Sequence, residues 1–189
     1  MGSALHRFAP TVIAEMRGVS DDEGLSPFWE NIGRHFFDLN FAEADLLSAA
    51  DKQFIADLMP RQPIYVPMLS AEAQAVVAAV HQETEPALNL LMHEGFRFAN
   101  AVDIFDAGPI YVTETNQVRT IKEMKRVTLG KVGEIETNER VLISTEASDF
   151  RATMGQVEMI SDSEVKLNHA TALALKIKLG QTLFFAPVR

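Results

Sequence analysis

The 189-residue chain contains no cysteine, which excludes disulfides and thiolate-held metal sites and leaves nothing that requires an oxidising compartment. No run of residues approaches the ~18 apolar positions of a membrane span, and the opening Met1-Gly2-Ser3-Ala4-Leu5-His6-Arg7 lacks a long apolar core. A soluble, cytoplasmic protein without a membrane partner is expected. Positive charge is in the minority, with 17 basic against 26 acidic residues and a net charge of −9. That balance disfavours a polyanion-binding surface, so no nucleic-acid partner is expected, and it permits a cationic substrate. Several stock motifs are missing too: the Walker phosphate loop, G-x-G-x-x-G, H-E-x-x-H and G-x-S-x-G. The five histidines, His6, His35, His81, His93 and His169, show no metal-ligand spacing, and no metal site is expected. What the chain does have is apolar material, 47% of its residues, enough for one good core or two small ones and too much for disorder.

Periodicity reads as an α/β fold with a β-rich ending. Thr11–Arg17 alternates like a strand, and four of the ten residues before it read as the end of a helix. After a polar loop at 18–24, Ser26 is placed to cap a helix with Pro27 at its first position and Phe28, Ile32 and Phe36 along one face. Phe28, Trp29, Phe36 and Phe37 read as core. Short helices are expected over 41–49 and 52–59, a short strand at Ile64-Tyr65-Val66, and two capped helices, Ser70 to Val80 and Thr84 to a stop at Gly95. His81 falls in the joint between them. A strand over 96–104, a turn at Asp106-Ala107-Gly108-Pro109 and a strand at 110–113 follow. Beyond a helical connector at 116–123, short strands are expected at 126–129, 141–144, 153–160 and 182–185. The chain therefore divides into an α/β region, 1–115, and a β-rich appendage, 116–189.

Few residues stand out chemically. His81 sits at a helix joint beside Gln82, Glu83, Thr84 and Glu85, where an imidazole can reach a cleft, although a lone histidine there also serves as a cap or surface residue. His93, near the Gly95 stop, reads as a favourable cation at a helix C-terminus. Glu15, Asp103 and Asp106 are candidates for holding a guanidinium or amine, because carboxylates accept paired hydrogen bonds; for Asp106, turn formation is the competing role. The acidic run Asp21-Asp22-Glu23 reads as a solvated loop.

Taken in order, Val12-Ile13-Ala14-Glu15-Met16-Arg17-Gly18-Val19-Ser20-Asp21, Ser26-Pro27-Phe28-Trp29, Gly33-Arg34-His35-Phe36-Phe37-Asp38, Phe54 to Pro60, Val80-His81, Glu94-Gly95-Phe96 and Val102 to Pro109 resemble the arginine N-succinyltransferase family. The resemblance covers about the first 110 residues closely and the remainder in layout. It implies a variant of the Gcn5-related acyltransferase fold, a mixed sheet with flanking helices. It also implies transfer of a succinyl group from succinyl-CoA to the α-amine of arginine in arginine catabolism, with ornithine accepted by some relatives. By this resemblance His81 falls on the family's proton-donating histidine. Succinyl-CoA is then a co-substrate, with no permanently bound cofactor. Direct attack of the amine on the thioester needs an acid for the departing thiolate, a role for which His81 is the candidate, and a base for the ammonium, for which Glu83 and Glu15 are candidates. No counterpart of the family's CoA-binding loop occurs in the sequence, so an amino-terminal partner chain or half is expected, and oligomeric assembly with it. A non-catalytic binding or structural subunit of such an enzyme is the alternative.

Overall fold

A computed structural model describes residues 9–21, 23–50, 53–146 and 149–188. The expected helix end before Thr11, together with Asp22 and Lys52, lies outside the described residues. The chain forms two units: one comprises Val12–Thr113, and the other joins Met1–Thr11 to Glu114–Arg189.

The first unit is built on a three-stranded sheet, β1 (Thr11–Glu15), β2 (Arg97–Val102) and β3 (Pro109–Glu114), in the order β1-β3-β2. β2 and β3 run antiparallel, with Phe98 opposite Tyr111 and Val102 opposite Pro109. Four steps along β2 thus face two along β3, and Asn100 takes up the excess in a left-handed conformation, φ 54°.

Helices α1 (Pro27–Asn31) and α2 (Gly33–Phe37) replace the single expected helix. Ser26 does cap α1, accepting the Trp29 amide at 3.3 Å, but Ile32 leaves helical geometry at φ −128°. The indole of Trp29 lies where a side chain at Gly33 would stand, so the break seats that ring. Breaking the helix also changes its apolar face: Phe37 is buried and Phe36, expected in the core, is 41% exposed. Two small cores result. Phe28, Ile32, Val76 and Ala107 form one, and Trp29, Phe37 and Ala44 the other. Trp29 stacks on Phe37 and Phe105 with ring centres 5.3 and 5.2 Å apart.

Helices α3 (Phe41–Ala50), α4 (Gln53–Leu58), α5 (Ala71–Val76) and α6 (Glu85–His93) follow. The strand expected at 64–66 does not form; Val66–Met68 is instead a single 3-10 turn, with prolines at 63 and 67 unable to donate to a strand ladder. α5 stops at Val76 rather than Val80, because Val77 is extended and Ala78 turns left-handed to donate its amide to the Ala107 carbonyl at 3.0 Å.

In the second unit, α7 (Arg119–Glu123) leads into a six-stranded mixed sheet ordered β6-β5-β9-β4-β8-β7. Its strands are β4 (Lys125–Val132), β5 (Val141–Thr145), β6 (Ala152–Gly155), β7 (Val157–Met159), β8 (Glu164–Leu167) and β9 (Thr182–Pro187). β4 and β8 run parallel, whereas the other pairs are antiparallel. The stretch expected as one strand over 153–160 is divided at Gln156, and both β8 and helix α8 (His169–Leu175) were not anticipated. Val127, Leu129, Ile143, Val165, Leu167, Leu175 and Leu183 form this unit's core.

Candidate functional site

Three consecutive residues after β1 are held by three different parts of the first unit. Met16 donates its amide to the Pro109 carbonyl at 3.1 Å, the Arg17 carbonyl accepts the His81 amide at 2.9 Å, and Gly18 donates to Asp106 Oδ2 at 2.7 Å. Arg17 and His81 are thereby placed side by side, although the sequence separates them by more than sixty residues. Gly18 and Gly108 permit the approach: a Cβ on Gly18 would strike the Asp106 carbonyl oxygen, and one on Gly108 the Met16 carbonyl oxygen.

His81 caps a 3-10 turn, Gln82–Thr84, that runs directly into α6. Its Nδ1 accepts the Glu83 amide at 3.2 Å, and its carbonyl accepts the amide and hydroxyl of Thr84 at 2.8 and 2.9 Å. The side chain is 19% exposed, and Glu83 Oε2 stands 3.8 Å from Nδ1. That same oxygen meets Arg17 Nη1 at 3.4 Å, while Arg17 Nη2 donates to Ser20 Oγ at 3.3 Å. Nε2 of His81 has no partner among the described residues. Thr84, expected to cap α6 with its side chain, spends its hydroxyl on His81 instead.

The carboxylates Glu15, Asp103 and Asp106 are brought near one another. Burial raises the Asp103 pKa above the ordinary carboxylate value, and the negative charges of Asp106 and Glu15 push it the same way. Asp103 Oδ1 accepts the Phe105 amide at 2.7 Å. Asp106 is engaged through both oxygens, Oδ2 by Gly18 and Oδ1 by Gly108 at 2.8 Å, and Glu15 lies exposed at the end of β1. The turn that carries these groups is anchored from two sides: Ala107 is fully buried in one core, and Phe105 stacks on Trp29 in the other.

Arg17, Ser20, Gly18 and Gly108 were not singled out from sequence. The arginine-glycine pair directly after a strand was the available signal, but its partners lie too far along the chain for spacing to reveal. His93 ends α6 as expected, and Asp21 closes its loop by accepting the amides of Glu23 and Leu25. A recess in the second unit, lined by residues such as Thr145, Glu146, Lys176 and Gln181, contains none of the predicted site residues. Among the described residues, no group of three or more metal-binding side chains occurs, and no helix is long and apolar enough to cross a membrane.

Comparison with known proteins gives a consistent result. Residues 1–120 match the family model described as arginine N-succinyltransferase beta subunit. The chain is 42% identical over 185 residues to arginine N-succinyltransferase subunit beta of Pseudomonas aeruginosa, covering 97% of this chain and 54% of that protein. It is 40% identical over 178 residues to the arginine N-succinyltransferase of Photorhabdus laumondii, covering 92% and 51%. A solved structure of arginine/ornithine succinyltransferase subunit AI from Pseudomonas aeruginosa superposes with a TM-score of 0.83 at 35% identity, covering 97% of this chain and 53% of that one. The chain thus spans about half the length of the curated relatives it matches.

Proposed function

The chain belongs to the arginine N-succinyltransferase family, and on that premise we propose that it supplies the histidine-bearing part of an enzyme that moves succinyl from succinyl-CoA to the α-amine of arginine. Ornithine, a shorter cation with the same α-amine, is the second candidate acceptor. The active enzyme also requires family residues that this chain does not span, including those that hold CoA.

The reaction needs little covalent help from the protein. A free amine attacks the thioester carbonyl, the C–N bond forms, the C–S bond breaks, and the amine's spare proton passes to a base. What the protein supplies is placement and stabilisation of the charge that appears first on the carbonyl oxygen and then on sulfur. His81 presents Nε2 to that charge. The observation that carries this reading is the unpartnered Nε2 of a histidine whose amide, carbonyl and Nδ1 are all engaged.

Glu15 and Asp103 are assigned to the cationic end of the substrate. Asp103 is half-buried among like charges, and an arriving guanidinium would relieve both the repulsion and the loss of hydration. Asp106 acts through the turn it closes, since both of its oxygens are occupied by backbone amides. Among the candidate bases, Glu83 is paired with Arg17, which leaves Glu15 the more available.

The test is a succinyl-CoA and arginine assay of this chain combined with the remainder of a family-length enzyme. Turnover that disappears with His81→Ala supports the proposal. Tight association without any turnover would instead make this chain a binding or structural subunit.

A further inference from the structure

We infer that His81 works as a neutral imidazole that donates a hydrogen bond from Nε2 and neither releases nor collects a proton during the reaction; this rests on the site proposed above. The reason is the cap. The Glu83 amide points its hydrogen at Nδ1 over 3.2 Å, so Nδ1 must offer a lone pair. Turning the ring over would set a carbon-bound hydrogen against the same amide hydrogen. A neutral ring with a bare Nδ1 carries its one proton on Nε2. The backbone of residue 81 reinforces the arrangement, because its amide is tied to Arg17 and its carbonyl to Thr84. Glu83 Oε2 stands 3.8 Å from Nδ1, and the same carboxylate oxygen is paired with Arg17 at 3.4 Å.

Two alternatives meet the same obstacle. A base acting through Nε2 needs that nitrogen bare, yet it already bears the proton. A cationic acid needs a second proton on Nδ1, facing the Glu83 amide, so the cap must open first; after giving up its Nε2 proton the ring is left in the tautomer that opposes that amide. A fixed donor meets neither difficulty. It hydrogen-bonds the carbonyl oxygen as the C–N bond forms and then the sulfur as the C–S bond breaks. The ammonium proton goes to a separate carboxylate or to water, and CoA leaves as a thiolate that takes its proton from solvent.

Two measurements decide the matter. In nitrogen-15 spectra of the imidazole of the whole chain, His81 should show a protonated Nε2 and a bare Nδ1; the reverse tautomer overturns the inference. The second measurement compares His81→Ala, His81→Asn and His81→Gln in the combined enzyme. Asparagine keeps an acceptor for the Glu83 amide but has nothing at the position of Nε2, whereas glutamine carries an amide donor out to that position. His81→Asn should melt like the parent and lose turnover roughly 10²–10³-fold, the scale of losing one donor to a developing oxyanion. His81→Gln should stay within about tenfold of the parent, because its amide donates without proton transfer. Glutamine as inactive as alanine overturns the neutral-donor role alone. A fully active His81→Ala overturns the site itself.

Discussion

Gly18 donates its amide to Asp106 Oδ2 over 2.7 Å, joining residues 88 positions apart, and the other oxygen of the same carboxylate accepts Gly108. Hydrogen bonds to a charged acceptor contribute more than neutral ones, and each amide left without its partner adds a desolvation cost. Asp106→Ala should therefore lower stability by roughly 2–3 kcal/mol in urea titration. An unchanged midpoint with a raised KM for arginine would make Asp106 a substrate contact instead.

The two glycines of this contact leave no room for a side chain. Gly108→Ala should destabilise the fold more than Asp106→Ala does, because the added methyl meets backbone atoms of Met16 and Gly18 that cannot rotate away. Comparison of the two denaturation curves checks the order. A Gly108→Ala chain as stable as the parent would show that the strand ends can move apart.

Asp103 gives a pH prediction with a definite sign. Its folded-state pKa lies above the ordinary value of 3.8, so folding favours the protonated carboxyl. The stability it contributes is full below that unfolded value and is lost as pH rises through the folded one. Asp103→Asn keeps an acceptor for the Phe105 amide and removes the ionisation. It should melt higher than the parent at pH 7, with the difference vanishing below about pH 4. Equal melting at both pH values would contradict this.

Helix α6 has no buried residue, and Leu90 and Met92 are 64% and 54% exposed, with Phe98 of β2 also exposed. Large apolar side chains left exposed on a helix with no buried residue point to a surface that something else covers. Under the proposed function, the occupant is the part of a family-length enzyme that this chain does not span. Leu90→Glu with Met92→Lys should keep the fold while weakening association with that part by at least tenfold in calorimetric titration, roughly the loss of 1.4 kcal/mol. Undiminished binding would place the contact elsewhere.

Local signals in the sequence were legible where one residue decides the outcome. Ser26 and Pro27 start α1, Gly95 stops α6, Asp106-Ala107-Gly108 turns the chain, and His81 stands at the joint before α6. Signals failed where a distant partner overrides them. Nothing near Ile32 announces that the helix must break to seat Trp29, and nothing near Val77 announces the Ala107 carbonyl that ends α5. Ile64-Tyr65-Val66 has strand-forming residues but no free neighbour to pair with among flanking prolines. β8 alternates too briefly, over four residues, to stand out from a polar turn. The site itself depended on the family resemblance, because the contact between Arg17 and His81 is a backbone bond and leaves no trace in residue type.

That last property reaches beyond folding. The bonds from Met16 to Pro109, from His81 to Arg17 and from Ala78 to Ala107 run between peptide groups on both sides. Side chains at positions 17 and 81 can therefore be exchanged while the backbone that aims them stays in register, whereas Ala78, left-handed at φ 61°, accepts few replacements. Under the proposed function, single substitutions at positions 17 and 81 retune which cation is accepted, or how charge is met at the thioester, while the scaffold stays intact, and a laboratory library confined to those two positions should return mostly folded proteins.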